Sequence, residues 1–175
     1  MGCQLRGAGR RHVRSVRTGR CRTCRHLTRT DVEPRLGHVG LTVNDLDASI
    51  EFYRDVIGMQ LMMRLDSGGE WFDELTRNRG AEIDVAMLEL GGSTLQLVEY
   101  RRAGGDPAPV SHNRPGTAHL SIEVDDVDAR HAAIVSSGRH HPTAIVDIAG
   151  IGARSFYVED PDGVPVELLQ MPART

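Results

Sequence analysis

Gly37-His38-Val39-Gly40-Leu41-Thr42-Val43-Asn44-Asp45-Leu46-Asp47-Ala48 returns later in the chain as Ala118-His119-Leu120-Ser121-Ile122-Glu123-Val124-Asp125-Asp126-Val127-Asp128-Ala129. Every apolar position matches, and so does the histidine. A repeat of this kind means that one structural module is used twice, so His38 and His119 occupy equivalent places in the two halves. Equivalent histidines suggest a shared metal.

Within each copy the apolar residues alternate with the others. Val39, Leu41 and Val43 are separated by Gly40 and Thr42, and Leu120, Ile122 and Val124 follow the same rule. Period two is the signature of a half-buried strand, and it turns both histidines away from the packed face. Asp45 and Asp126 are placed to cap helices. Ile50, Tyr53, Val56 and Ile57 form the apolar stripe of the first and Ile134 and Val135 that of the second, with Gly58 and Gly138 as their stops. Apolar segments then follow at Ile83 to Leu90, Thr94 to Tyr100, Ser155 to Val158 and Pro165 to Gln170, joined by Gly-containing turns. Each module therefore reads as strand, helix, then two or three strands connected by hairpins.

Charge divides the chain. Residues 1–30 hold nine Arg and no acid, whereas residues 31–175 hold 12 Arg against all 24 acids, and there is no Lys anywhere. The head, residues 1–34, is apolar-poor and self-repelling, which reads as disorder. It carries all three cysteines, and Cys21-Arg-Thr-Cys24 without a second pair is a weak zinc signal. Its acid-free, Arg-rich composition also resembles an organellar transit peptide, though it has no apolar core of a secretory signal. The body is acidic, which argues against nucleic-acid binding. No run approaches the ~18 apolar residues of a membrane span. A cytoplasmic protein acting on a small molecule is the expectation. The first module is assigned to residues 35–100, a Gly- and Pro-rich linker to 101–116 and the second module to 117–172.

Equivalent halves should carry a second pair of matched residues. In Leu95-Gln96-Leu97-Val98 and Val166-Glu167-Leu168-Leu169 the residues Leu95, Leu97, Val166 and Leu168 read as inward, leaving Gln96 and Glu167 in matching outward positions. Two imidazoles, an amide and a carboxylate suit a borderline divalent ion such as Co, Ni, Mn, Zn or Fe(II). A lone strand histidine would be simply solvent-facing. Two at one repeat position, with two oxygen donors at another, favour the metal.

The stretches GHVGLTVNDLDASIEFYRDVIGM (37–59), LGGSTLQLVEY (90–100), AHLSIEVDDVDA (118–129) and VEDPDGVPVELLQ (158–170) resemble the vicinal oxygen chelate superfamily, which includes glyoxalases, bleomycin-resistance proteins and extradiol dioxygenases. The resemblance implies an α+β fold of two βαβββ modules forming an open, U-shaped mixed sheet around a divalent metal, with a homodimer as the usual assembly. It also implies the ligand set His38, Gln96, His119 and Glu167, similar to that of methylmalonyl-CoA epimerase. Glyoxalase I tends to have Glu where Gln96 stands. His38, His119 and Glu167 alone would also satisfy the facial triad of an Fe(II) dioxygenase.

The resemblance points to an epimerase acting at a carbon alpha to a carbonyl through an enolate. The substrate would be a ketocyclitol, as in 2-epi-5-epi-valiolone epimerases, or a methylmalonyl-CoA-like thioester. The His-Pro-Lys segment usual in the thioester enzymes is missing here, and a CoA-binding surface is not evident. Such chemistry needs a base and an acid, and Glu167 at the metal with Asp84 across the cavity are the candidates. Asp84 reads equally well as the polar side of a strand. The resemblance is also compatible with a glyoxalase-type lyase and with a small-molecule binding protein that performs no turnover. Trp71, Phe72 and Leu75 read as a pocket lid or a small satellite core, and His112, His131, His140 and His141 as surface residues.

Overall fold

The first repeat copy opens a module of four strands, in a computed structural model that describes residues 34–173. Strand β1 (Val39–Val43) leads into helix α1 (Leu46–Glu51), which continues as a π-helical turn over Phe52–Ile57. Strand β2 (Gln60–Gly68), helix α2 (Glu70–Thr76), β3 (Glu82–Leu90) and β4 (Ser93–Arg102) complete the module. The second module has β5 (Leu120–Glu123), α3 (Val127–Ser137), β6 (Val146–Ile148), β7 (Ala153–Glu159) and β8 (Pro165–Gln170). The sheets have the orders β1-β4-β3-β2 and β5-β8-β7-β6. In each, the first strand lies parallel to the last and the other pairs are antiparallel. This is the α+β fold of two βαβββ modules expected from the repeat. The Arg-rich head with its cysteine pair lies outside the described residues.

The repeat extends to the chemistry of the helix ends. Asp45 accepts from the Ala48 amide at 2.9 Å and Asp126 from the Ala129 amide at 2.9 Å, satisfying donors that have no partner in the first turn. A second acceptor arrives from the last strand of each module. Glu99 takes the Leu46 amide at 2.8 Å and Gln170 the Val127 amide at 3.1 Å. Gly58 (φ 94°) and Gly138 (φ 64°) close the two helical segments in the left-handed conformation that a side chain disfavours.

The helices pack on one face of each sheet. Leu41, Val43, Ala86, Leu88, Leu95 and Leu97 of the first module join Phe156, Val158, Val166 and Leu168 of the second in a continuous core with Phe52, Tyr53, Val127 and Ile134. Full burial of each such leucine contributes about 1.5–3 kcal/mol. Polar contacts cross between modules as well. The Tyr53 hydroxyl donates to the buried Asp160 at 2.9 Å, and Arg130 donates to the carbonyls of Val56 and Ile57 at 2.8 and 2.9 Å.

Two local expectations need correction, and one region carried no expectation. Val135 is 51% exposed, because the next residue of a helix points about 100° away from the buried Ile134. Strand β2 and helix α2 had no clear signal: Leu61, Met62, Met63 and Leu65 run on without period two, and all are exposed. A register shift between Leu61 and Met63 in the β2–β3 pairing breaks the alternation there. Strand β4 also runs to Arg102, two residues into the stretch assigned to the linker. Among the described residues no helix is long and apolar enough to cross a membrane.

Candidate functional site

Strand register decides which side chains share a surface. Gln96 lies opposite Gly40 in the parallel β1–β4 pair and opposite Met87 in the antiparallel β3–β4 pair. Directly opposed residues project to one face, so His38, Gly40, Thr42, Val85, Met87, Gln96, Val98 and Tyr100 share the face that α1 does not cover. Helix α2 stands over this face. Together they enclose a cavity of about 630 Å³ that holds both His38 and Gln96, with Leu65, Trp71, Phe72 and Leu75 among its walls. The two readings of the Trp71 segment both hold. Phe72 packs with Ala81, Ile83 and Val85 in a satellite core, while Trp71 and Leu75 are 59% and 71% exposed at the cavity.

The same register operates in the second module, where Glu167 lies opposite both Ser121 and Tyr157. Here the acceptor is held. Ser121 Oγ donates to one Glu167 oxygen at 2.8 Å and Ser155 Oγ to the other at 2.8 Å. His119 stands beside this group, its ring 6.1 Å from that of Tyr157. Burial, and after it the negative charge of Glu167, pushes the Tyr157 phenol above its ordinary pKa.

His112 joins the same face, its ring edge-on to Tyr157 at 4.6 Å and 5.9 Å from that of His119. It is exposed, as expected of a surface residue, but its place beside His119 was not legible. It lies outside the repeated stretches and on no strand, so neither periodicity nor equivalence pointed to it. His141 is exposed as expected, whereas His131 and His140, expected at the surface, are half-buried against aromatic rings. His131 lies edge-on to Phe156 with Nε2 3.0 Å from the Thr143 carbonyl oxygen. His140 rests against Phe52, and burial lowers its pKa.

The expected ligands thus come together as two pairs, His38 with Gln96 and His119 with Glu167. No residue of the second module lines the His38 cavity. Among the described residues, no three of His, Cys, Asp and Glu lie close enough to hold a metal ion. His38, His119 and Glu167 therefore do not converge within the chain.

Asp84 requires a correction. It lies opposite Glu99 and Asp66 in the sheet, three residues from Met87 and hence on the helix-covered side, not across the cavity. Its neighbour there is Arg101, 3.4 Å away. Glu99 is on that side too and is engaged at the start of α1.

The donors fit a borderline divalent ion: two imidazole nitrogens, an amide oxygen and a carboxylate oxygen. The two pairs differ in how their oxygen donor is held. Gln96 Oε1 lies 3.6 Å from where a Cβ on Gly40 would be, an ordinary contact distance that places the amide against the β1 backbone. Glu167 is oriented by two hydroxyls that leave lone pairs free on both oxygens.

Comparison with known proteins agrees with this architecture. Residues 35–168 match the model of the Glyoxalase/Bleomycin resistance protein/Dioxygenase superfamily. The chain is 35% identical over 144 residues to a 2-epi-5-epi-valiolone epimerase from Actinomyces sp, covering 78% of this chain and 79% of that one. It is 31% identical over 138 residues to the lactoylglutathione lyase of Haemophilus influenzae, covering 76% and 90%. A glyoxalase family protein from Bacillus cereus has the same fold, with a TM-score of 0.71 at 22% identity over 83% of this chain and all of that one. Two βαβββ modules, their matched donors and these relatives lead to one conclusion: the chain belongs to the Glyoxalase/Bleomycin resistance protein/Dioxygenase superfamily.

Proposed function

We propose that this protein is a divalent-metal-dependent epimerase that inverts a stereocentre alpha to a carbonyl. It works as a homodimer in which His38 and Gln96 of one copy meet His119 and Glu167 of the other. The observation that carries the assembly is the separation of the donors into two pairs, each incomplete by itself. A two-fold dimer would join unlike pairs twice and make two equal sites.

The reaction rests on the difference between the pairs. Gln96 cannot take a proton, whereas Glu167 can, and two hydroxyls hold it in one orientation. A divalent ion bound by the four donors would supply Lewis-acid stabilisation of negative charge on the substrate carbonyl oxygen. Glu167 then removes the proton from the adjacent carbon, which is acidic enough to yield only because that charge is stabilised. Return of a proton to the opposite face of the same carbon completes inversion with no net change in composition. Tyr157 and His112 are further groups on the Glu167 face with transferable protons. The 35% identity to an epimerase supports this reading, beside 31% identity to a lactoylglutathione lyase.

The test is deuterium uptake in heavy water with metal-loaded protein. Incorporation at the alpha carbon, with the mass otherwise unchanged, is expected. Oxygen consumption with catechols, or absence of exchange across carbonyl substrates, contradicts the proposal.

A further inference from the structure

Inversion needs two proton-transferring groups, one for each side of the reacting carbon. Glu167 is one of them in the proposed reaction, and its partner must work from the other side. Asp84 and Glu99 are on the helix-covered side of the first sheet. No carboxylate lines the His38 cavity, where the hydroxyls are those of Thr42, Ser67, Thr76 and Tyr100. Aliphatic hydroxyls are not among the side chains that commonly carry general acid–base chemistry.

His112 reaches the other half of the site by a route of its own. The linker leaves β4 and lays Val110 against the β7–β8 turn, where a Cβ on Gly163 would meet it at 3.9 Å. It then turns twice. The Ser111 carbonyl accepts from the Arg114 amide at 3.0 Å and the Arg114 carbonyl from the Thr117 amide at 3.1 Å. Arg114 Nη1 donates back to the Pro109 carbonyl at 2.9 Å and closes the loop. His112 lies in the first of these turns, and its ring completes a triangle with Tyr157 at 4.6 Å and His119 at 5.9 Å, the last two being 6.1 Å apart.

Tyr157 lies directly opposite Glu167 on the neighbouring strand, so His112 is one aromatic ring away from that residue. Two groups that each approach one carbon to about 3 Å from opposite sides stand roughly 6 Å apart. One ring's remove is a separation of that order. Tyr157 itself is held as a phenol, because burial and the charge of Glu167 both oppose its ionisation. His112 is exposed, and histidine is the side chain that gives and takes protons most readily near neutral pH.

We infer that His112 is the second catalytic residue, working from the linker side of the carbon whose other side faces Glu167. This rests on the epimerase reading. From one epimer Glu167 takes the alpha proton and the C–H electron pair passes into the enolate. The His112 N–H bond then breaks to deliver its proton to the opposite side of the same carbon. From the other epimer the roles reverse, with neutral His112 as base and the Glu167 acid as donor. Proton exchange with solvent resets both groups, so no atom is gained or lost.

The experiment compares His112→Gln with the parent, both as the cobalt-loaded full chain in heavy water. Two resolved pairs serve as probes, 2-epi-5-epi-valiolone with its carbon-2 epimer and the two epimers of methylmalonyl-CoA. Gln keeps a polar side chain of similar length but cannot cycle a proton. Inversion should fall at least a hundredfold from either epimer. Alpha deuteration should persist, with retained configuration, for the one epimer that Glu167 addresses and should disappear for the other. Cobalt affinity and the circular dichroism spectrum should match the parent, and His112→Ala should repeat the pattern. A merely structural His112 would slow deuteration of both epimers alike. That result, a loss of cobalt affinity, or inversion at the parental rate would overturn the inference and leave the epimerase reading standing. A parent inert toward both pairs would overturn the two together.

Discussion

Ser121 donates its hydroxyl to Glu167 at 2.8 Å, and in the first module the same place is held by Gly40, which has no side chain to offer Gln96. The repeat is therefore broken at both members of one cross-strand pair. The half that keeps a carboxylate also keeps the hydroxyl that orients it, with Ser155 on the other oxygen.

Substitution at these hydroxyls should act on turnover and not on folding. A hydrogen bond to a charged group contributes about 1.5–3 kcal/mol, so Ser121→Ala or Ser155→Ala should each slow alpha-proton exchange by roughly tenfold or more. The double variant should cost more than either. Exchange rates measured beside urea denaturation separate the two effects, and an unchanged rate in the double variant would deny Glu167 its role as base.

The buried pair between modules makes a stability prediction with a definite sign. Burial raises the Asp160 pKa above the ordinary 3.8 despite hydrogen bonds from Val164, Tyr53 and Asp162. The native state then holds that proton to higher pH than the unfolded chain. Its contribution is most favourable below the unfolded pKa and declines as pH rises through the raised native value. Stability of the parent relative to Asp160→Asn should therefore fall between about pH 4 and the raised native pKa. Urea melts across that range check it, and a constant difference would contradict it.

Tyr53→Phe removes one acceptor-bound hydroxyl from the same place and leaves Asp160 buried with one partner fewer. A loss of about 1–3 kcal/mol is expected, read as a lower urea midpoint with an unchanged slope.

Gly68 ends β2 where a Cβ would lie 2.9 Å from the Ala81 carbonyl oxygen. Gly68→Ala must push the strand from its neighbour and should cost about 1–3 kcal/mol in a thermal melt. Gly40→Ala, whose Cβ would sit 3.6 Å from Gln96 Oε1, should leave the melting temperature nearly unchanged.

The fold was legible because the repeat supplied a second copy against which each position could be checked. The same comparison singled out His38, Gln96, His119 and Glu167 as the candidate donors. Asp84 was misplaced because alternation gives its face only once a neighbour on the same strand is fixed, and Met87 opposite Gln96 supplies that reference. Strand β2 lacked an alternating pattern, and His112 lacked a repeat partner. The division of the donors into two pairs was beyond periodicity altogether. Period two tells which face of a sheet a residue occupies, but not which other sheet that face will meet.

The shared site is tested most directly by mixing two defective chains. His38→Ala/Gln96→Ala lacks one pair and His119→Ala/Glu167→Ala the other, so neither homodimer has a complete set. After subunit exchange, half of the dimers are mixed, and each mixed dimer has one intact site and one with no donors. Cobalt binding and alpha-proton exchange should both return to about one quarter of the parent level. Failure of the mixture to recover either, with mixed dimers shown to form, would contradict a site built between two copies.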